Sequence, residues 1–327
     1  MLVPLALDLA YRFMIRQRNN FLLFHFAVRV RLFLVSADSN FEFHKIELFK
    51  VHLPNEGETR VILLSVLKLR ERVTTVLSGS GRSWDEAFRK VCSELAEIIR
   101  FKELLVDWRE SRSGWAAAFD EEQAAQNSYK ELVERDALLM HILIPMLKSY
   151  PKTPFVYKKG KNIQLVKLQS VDPGICVILA GINYGEGLPW ILGFGSDWNE
   201  DKAVDKAVLE CILFDESKEA FKMSEYEERL SCLKNHLNQS SGGIVRDNLN
   251  SIFSGDGDLM VNLQFNRDQF KRDDVAKVGS RWTVKGSHPY LLSLKFCELW
   301  NEEKEDKIRL IESRGFEVQK WILHPFL

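Results

Sequence analysis

A helix-capping residue followed four positions later by alanine and eleven positions later by glutamate occurs three times in this chain: Ser83, Ala87, Glu94; Asp120, Ala124, Glu131; and Asn199, Ala203, Glu210. At about 100° per residue, the seven residues from alanine to glutamate make two turns, so both lie on one side of each helix. The small alanine lets a neighbour pack close on that side. Repetition in one register predicts three equivalent helices. Two of them place a second glutamate on the same side, Glu97 three after Glu94 and Glu134 three after Glu131. One glutamate on a helix is most often a solvated face. Five in register call for another account. If the helices converge, the five carboxylates repel one another unless a divalent cation neutralises them, and hard oxygen donors select Mg²⁺ or Ca²⁺. Mg²⁺ is usually shared between a few carboxylates and substrate phosphates. The pattern therefore points to a Mg-nucleotide site built without a phosphate loop, and no Walker sequence occurs.

Composition sets the remaining bounds. With 327 residues, 46% of them hydrophobic, and a formal charge of −1, the chain can bury one large core or two smaller ones and has no bulk attraction for nucleic acid. Cys92, Cys176, Cys211, Cys232 and Cys297 form no CxxC pair, which fits reduced thiols in a cytoplasmic compartment rather than a disulfide framework or a zinc site. The first thirty-five residues are apolar and basic. Asp8, Arg12, Arg16, Arg18, Arg29 and Arg31 interrupt them too often for a membrane span, and no targeting signal is read there. The seven histidines show no metal spacing. Lys158, Lys159 and Lys161 read as a solvated turn.

The expected fold class is α+β. Phe21 to Val35 has strand character, and Thr59 to Leu69 and Val73 to Leu77 follow as strands. A first helix runs from Ser83 to about Leu105, with Glu86 completing a capping box, and a second from Asp120 to about Lys148. Pro151 and Pro154 close that half. Strands are expected at Ile163 to Leu168, Ile175 to Ala180 and Trp190 to Phe194, before a third helix from Asn199 to about Phe214 and another over Asp215 to Gln239. Gln239 to Asp258 reads as a loop, Leu291 to Arg314 as a polar helix and Phe316 to Leu323 as a closing strand. The implied divisions are a strand-rich segment over 1–78, a core over 79–238 and a C-terminal completion over 239–327.

The run Gly114-Trp-Ala-Ala-Ala-Phe-Asp-Glu-Glu-Gln-Ala, ending in Glu131-Leu-Val-Glu-Arg-Asp-Ala137, resembles the second motif of YcaO-domain proteins. Gly79-Ser-Gly81 through Glu94-Leu-Ala-Glu97 is similar to the family's first motif, and Gly193-Phe-Gly195 through Lys206-Ala-Val-Leu-Glu210 to its third, in the family's order. Together they cover roughly residues 79 to 212. The final Trp321-Ile-Leu-His-Pro-Phe-Leu327 is similar to the family's closing strand.

The resemblance implies a YcaO-like fold and an ATP- and Mg²⁺-dependent enzyme that phosphorylates a backbone amide oxygen of a ribosomally made precursor peptide. Attack by a Cys, Ser or Thr side chain then gives an azoline, as in a cyclodehydratase of bacteriocin biosynthesis, and external sulfide gives a thioamide. An amide oxygen leaves poorly until phosphorylated, so the protein's task is positioning and charge neutralisation. Carried over by position, Glu94, Glu97, Glu131, Glu134 and Glu210 match the glutamates around ATP and its magnesium ions, while Arg135 and Lys206 match phosphate-contacting cations. No catalytic base is assigned. The chain departs from the family at Lys90 for serine, Ile98 for arginine, Ser113 for asparagine and Lys206 for arginine, and Lys206 cannot supply a bidentate guanidinium. The proline-rich tail of many azoline-forming members and a cysteine-rich zinc module are not read here. Expected partners are therefore the precursor peptide, a separate leader-binding or E1-like protein, a flavin dehydrogenase for azole products, or a second copy in a homodimer, with no nucleic acid and no membrane. A scaffold that keeps the fold to bind peptide or partner, and an ATP-dependent auxiliary of sulfur transfer, stand as the alternative readings.

Overall fold

The computed structural model describes residues 21–37, 39–68, 73–104, 113–144, 146–158, 161–185, 190–221, 243–260, 266–292, 304–313 and 315. In chain order the elements are α1 (Phe21–Ser36), β1 (Phe41–Leu53), β2 (Gly57–Lys68), β3 (Val73–Gly81), α2 (Trp84–Glu103), β4 (Trp115–Ala118) and α3 (Glu121–Leu143). There follow β5 (Ser149–Lys158), β6 (Lys161–Leu168), β7 (Cys176–Ile182), β8 (Ile191–Asp197), α4 (Glu200–Phe221), α5 (Gly243–Ser254), β9 (Lys271–Val278), β10 (Arg281–Ser287) and α6 (Lys304–Ser313). The strands make three antiparallel sheets, ordered β1-β2-β3, β4-β10-β9 and β5-β6-β7-β8. Each sheet carries one of the capped helices: α2 on the first, α3 on the second and α4 on the third. This is the expected α+β class, and among the described residues no helix is long and apolar enough to cross a membrane.

The repeated register is realised in all three helices. The cap carbonyl accepts the alanine N–H in each, Ala87 to Ser83 at 3.1 Å, Ala124 to Asp120 at 3.2 Å and Ala203 to Asn199 at 3.1 Å. The cap side chain accepts from the backbone three residues on, at Glu86, Gln123 and Lys202 respectively. Glu86 does not reach back to the cap itself. Its carboxylate accepts instead from Arg82 N, one residue earlier, at 3.0 Å.

Several elements differ from the sequence reading. Phe21 to Val35 is a helix, not a strand, because its apolar residues recur at steps of three and four: Leu23, Phe26, Ala27, Val30, Phe33 and Leu34 are the buried ones. Phe26 stacks on Phe88 of α2 at 4.9 Å, and Arg29 caps that ring at 4.2 Å while pairing with Asp85. α3 stops at Leu143, five residues before Lys148, since the next residue, Ile144, precedes a proline and so disfavours helical backbone. Pro151 and Pro154 do not close a half but lie inside β5, an edge strand with a bulge between Lys152 and Phe155, where a missing N–H is tolerated. α4 continues to Phe221 rather than ending at Phe214, and the rest of the helix expected over Asp215 to Gln239 lies outside the described residues. Within the expected loop Gln239 to Asp258, residues 243–254 are helical, and Leu249, Ile252 and Phe253 bury against α3 and the third sheet. β1, β4, β5, β9 and β10 had no counterpart in that reading. Of the C-terminal helix only Lys304–Ser313 is described, and the closing strand Phe316 to Leu323 and the run from Trp321 lie outside the described residues.

The largest core joins α3 to the third sheet and α5 through Leu138, Met140, Ile142, Leu147, Leu179 and Phe253. His141 is fully buried within it. Its Nδ1 lies 2.7 Å from Ala137 O, and its Nε2 lies 3.2 Å from Gln169 N and 3.3 Å from Lys148 O. Burial lowers its pKa, against hydrogen bonds to Ala137 and Lys148. Below about pH 6.5 the unfolded chain takes up a proton that the native ring resists, so stability falls with acid, at most about 1.4 kcal/mol per pH unit. The loss in urea unfolding stability between about pH 7.5 and about pH 5.5 is expected to be smaller in His141→Gln than in the wild type.

Candidate functional site

The site grows from three strand-turn-helix units, of which two are built alike. In the β3-α2 unit Ser78 N donates to Glu94 Oε2 at 2.9 Å, and in the β8-α4 unit Phe194 N donates to Glu210 Oε2 at 2.5 Å, donor and acceptor 16 residues apart in both. A glycine follows each donor because strand and helix backbones touch there. A Cβ on Gly79 would stand 2.2 Å from Ala87 O, and one on Gly195 would stand 2.2 Å from Ala203 O. Ala87 and Ala203 of the repeated register thus mark where α2 and α4 lie against their strands.

The second unit sits between the other two. Glu97 of α2 accepts from Ala117 N of β4 at 2.7 Å, joining the first helix to the second sheet. On α3, Arg135 lies between two carboxylates, its Nη1 3.4 Å from Glu134 Oε1 and its Nε 3.9 Å from Glu131 Oε1. The same guanidinium stands 5.5 Å from the centre of the Phe194 ring on β8. Asp136, next in the chain, turns the other way: it is buried and accepts from Leu292 N at 2.8 Å. The run Glu134-Arg135-Asp136 therefore splits, two residues serving the site and one tying the C-terminal part of the chain to α3.

Glu210 reports how closely the helices meet. Burial pushes its pKa up to about 7, Glu134 and Glu94 add repulsion, and Arg135 and the Phe194 N–H oppose the rise. Carboxylates from α2, α3 and α4 thus share one field, with Arg135 inside it. Glu131 joins through Arg135. Among the described residues, no group of three or more His, Cys, Asp or Glu side chains is posed to hold a metal ion. Glu94, Glu97 and Glu210 are turned toward backbone N–H groups, so holding a cation calls for rotating them from those partners. The donor chemistry fits a hard divalent cation: every donor is a carboxylate oxygen, and among them stands Glu210, whose pKa burial raises most and the charges of Glu134 and Glu94 raise further.

Lys206 lies on α4 one turn before Glu210. Its Nζ donates to Ser196 O at 2.8 Å and to Asp197 Oδ2 at 3.1 Å, and Lys130 of α3 reaches the same Asp197 oxygen at 3.3 Å. Although burial opposes it, Lys206, the Asn199 N–H and Lys130 pull the Asp197 pKa down to about 2. Lys130 and Asp197 were missed in the sequence. The only sign of Asp197 is a charged residue closing an apolar strand two positions before a helix cap. A further brace holds the outer side of α3: Tyr129 OH and Arg267 both donate to buried Asp172, and Arg267 lies 4.5 Å over Trp198. Of the four departures noted in the sequence, Lys206 is the one that lies here, and the other three sit elsewhere. Lys90 is exposed and pairs with Glu86 at 3.6 Å, Ile98 is core, and Ser113 is buried with its carbonyl accepting from Lys285.

No family model and no curated protein matches the sequence. YcaO-domain proteins are among the solved structures to which the chain is similar. One is YcaO from Methanopyrus kandleri bound with AMPPCP and Mg²⁺, 16% identical over 67% of this chain and 75% of that one, with a TM-score of 0.45. Another is the E. coli microcin synthetase McbBCD complex with pro-MccB17 bound, 12% identical over 71% and 65% of the two chains, with a TM-score of 0.39. The heterocyclase TruD is 18% identical over 48% of this chain and 23% of its own, with a TM-score of 0.28.

Proposed function

We propose that the carboxylates of α2, α3 and α4 bind Mg²⁺-ATP, and that the chain uses it to activate a backbone amide of a ribosomally made peptide, as a cyclodehydratase or thioamide-forming enzyme does. The observation that carries this reading is that Glu210 of α4 feels the charges of Glu134 on α3 and Glu94 on α2, with Arg135 beside Glu134 and Glu131. Glu94, Glu97, Glu131, Glu134 and Glu210 would hold the cation, while Arg135 and Lys206 would meet phosphate oxygens. ATP, when bound, supplies the phosphoryl group that turns the amide oxygen into a leaving group. Glu210 must shed its proton for the cation to enter. Arg135 keeps the carboxylates together meanwhile, and the caps at Ser83, Asp120 and Asn199 fix the three helix starts to their turns. The scaffold reading rests on Lys90, Ile98, Ser113 and Lys206; of these, Lys90 is exposed and pairs with Glu86, and Ile98 lies in the core.

A pH profile tests the assignment. Because Glu210 holds its proton up to about pH 7, affinity for Mg²⁺-ATP should weaken up to tenfold for each pH unit below that point, in excess of the titration of ATP itself. Glu210→Gln should bind more weakly at pH 8 and lose the excess, leaving only the nucleotide's own dependence. Parallel profiles in the two proteins would remove Glu210 from the site.

A further inference from the structure

We propose that Lys130, together with Lys206, forms an anion clamp that takes the polyphosphate of the nucleotide, with Asp197 as its counter-charge; this rests on the reading above. The geometry is a stack of two layers. Lys130 precedes Glu134 by four residues on α3, and Lys206 precedes Glu210 by four on α4, so on each helix a lysine lies one turn from a site glutamate on the same face. Arg135 stands among Glu131, Glu134 and Glu210. The lysines meet on one oxygen, Asp197 Oδ2, at 3.3 and 3.1 Å. A helical turn rises about 5.4 Å, so a layer fit for a cation adjoins a layer fit for an anion. A metal-bound polyphosphate presents that same pair of charges side by side.

The charges of the lower layer are unequal. Two ammonium groups share one carboxylate, which leaves a surplus positive charge where α3, β8 and α4 meet. Lys130 is only 12% exposed, yet Asp197 is its one carboxylate partner among the described residues, and two of its three N–H donors remain for another acceptor. Lys206, at 49% exposure, faces the solvent side, where a ligand enters. A strut between helices would need only one lysine per carboxylate.

The test uses inorganic tripolyphosphate without metal, followed by Mg²⁺-ATP, titrated calorimetrically into the full chain. Lys130→Met, on samples shown to be folded, should weaken tripolyphosphate binding about tenfold or more, and Lys130→Arg should restore it. Asp197→Asn keeps an acceptor oxygen and removes the repelling charge, so it should tighten tripolyphosphate binding several-fold, whereas a purely structural Asp197 would weaken it. Wild-type affinity in Lys130→Met, or no tripolyphosphate binding by the wild type, overturns the clamp. Tripolyphosphate binding that depends on Lys130, without any binding of Mg²⁺-ATP, would uphold the clamp and defeat the nucleotide reading.

Discussion

Alanine at Gly195 is expected to cost about 3 kcal/mol of unfolding free energy, near the upper end for overpacking a close-packed interior, and to depress nucleotide binding with it. The new methyl would stand 2.2 Å from Ala203 O and 2.7 Å from Ala207 N. Both are backbone atoms of α4, so no side chain can yield and the helix itself must move. That helix carries Lys206 and Glu210, and its displacement would stretch the Phe194 N–H contact to Glu210. Gly79→Ala should behave alike, because its methyl would meet Ala87 O at 2.2 Å and Val91 N at 2.6 Å. Urea titrations of the two variants should give similar losses, and a loss below about 1 kcal/mol in both would show that helix and strand do not need this approach.

Removing the cation at the centre should rank next. Arg135→Met leaves Glu131, Glu134 and Glu210 without the guanidinium that stands 3.9 and 3.4 Å from the first two and opposes the raised pKa of the third. Stripping one partner from a fully buried pair costs about 3–5 kcal/mol; Arg135 is 20% exposed, so about 2–4 kcal/mol is expected at pH 8. The sign with pH follows from Glu210. Its folded pKa already exceeds the unfolded value, so its contribution is present in acid and is lost as pH rises toward 7. Without Arg135 that pKa rises further, and the destabilisation should be larger at pH 8 than at pH 5. A uniform loss across that range would mean that Arg135 acts by packing against Phe194 rather than by charge.

Helix starts were readable in the sequence because capping is local: a Ser, Asp or Asn with an alanine four on determines which N–H and carbonyl meet. The helix over residues 21–36 was equally local, since Leu23, Phe26, Val30, Phe33 and Leu34 follow a helical face, but its apolar run was read as a strand. The second sheet was not readable in that way. β4 is only four residues long, and its partner β10 lies far along the chain, with Ala117 opposite Thr283. Nothing in Arg281–Ser287 names that partner, and only packing beneath α3 selects it. The site divides along the same line. The glutamates could be picked out because each repeats in register with a cap, whereas Lys130 and Asp197 come together only through the meeting of α3 with the end of β8.

The central claim is that three helices place their carboxylates around one Mg²⁺-nucleotide. The most direct measurement is calorimetric titration of ATP into the wild type and Glu131→Gln, each with and without Mg²⁺, on samples shown to be folded. Binding by the wild type that requires Mg²⁺ and disappears in Glu131→Gln is the predicted result. Binding that is indifferent to Mg²⁺, or equal in the two proteins, would contradict it.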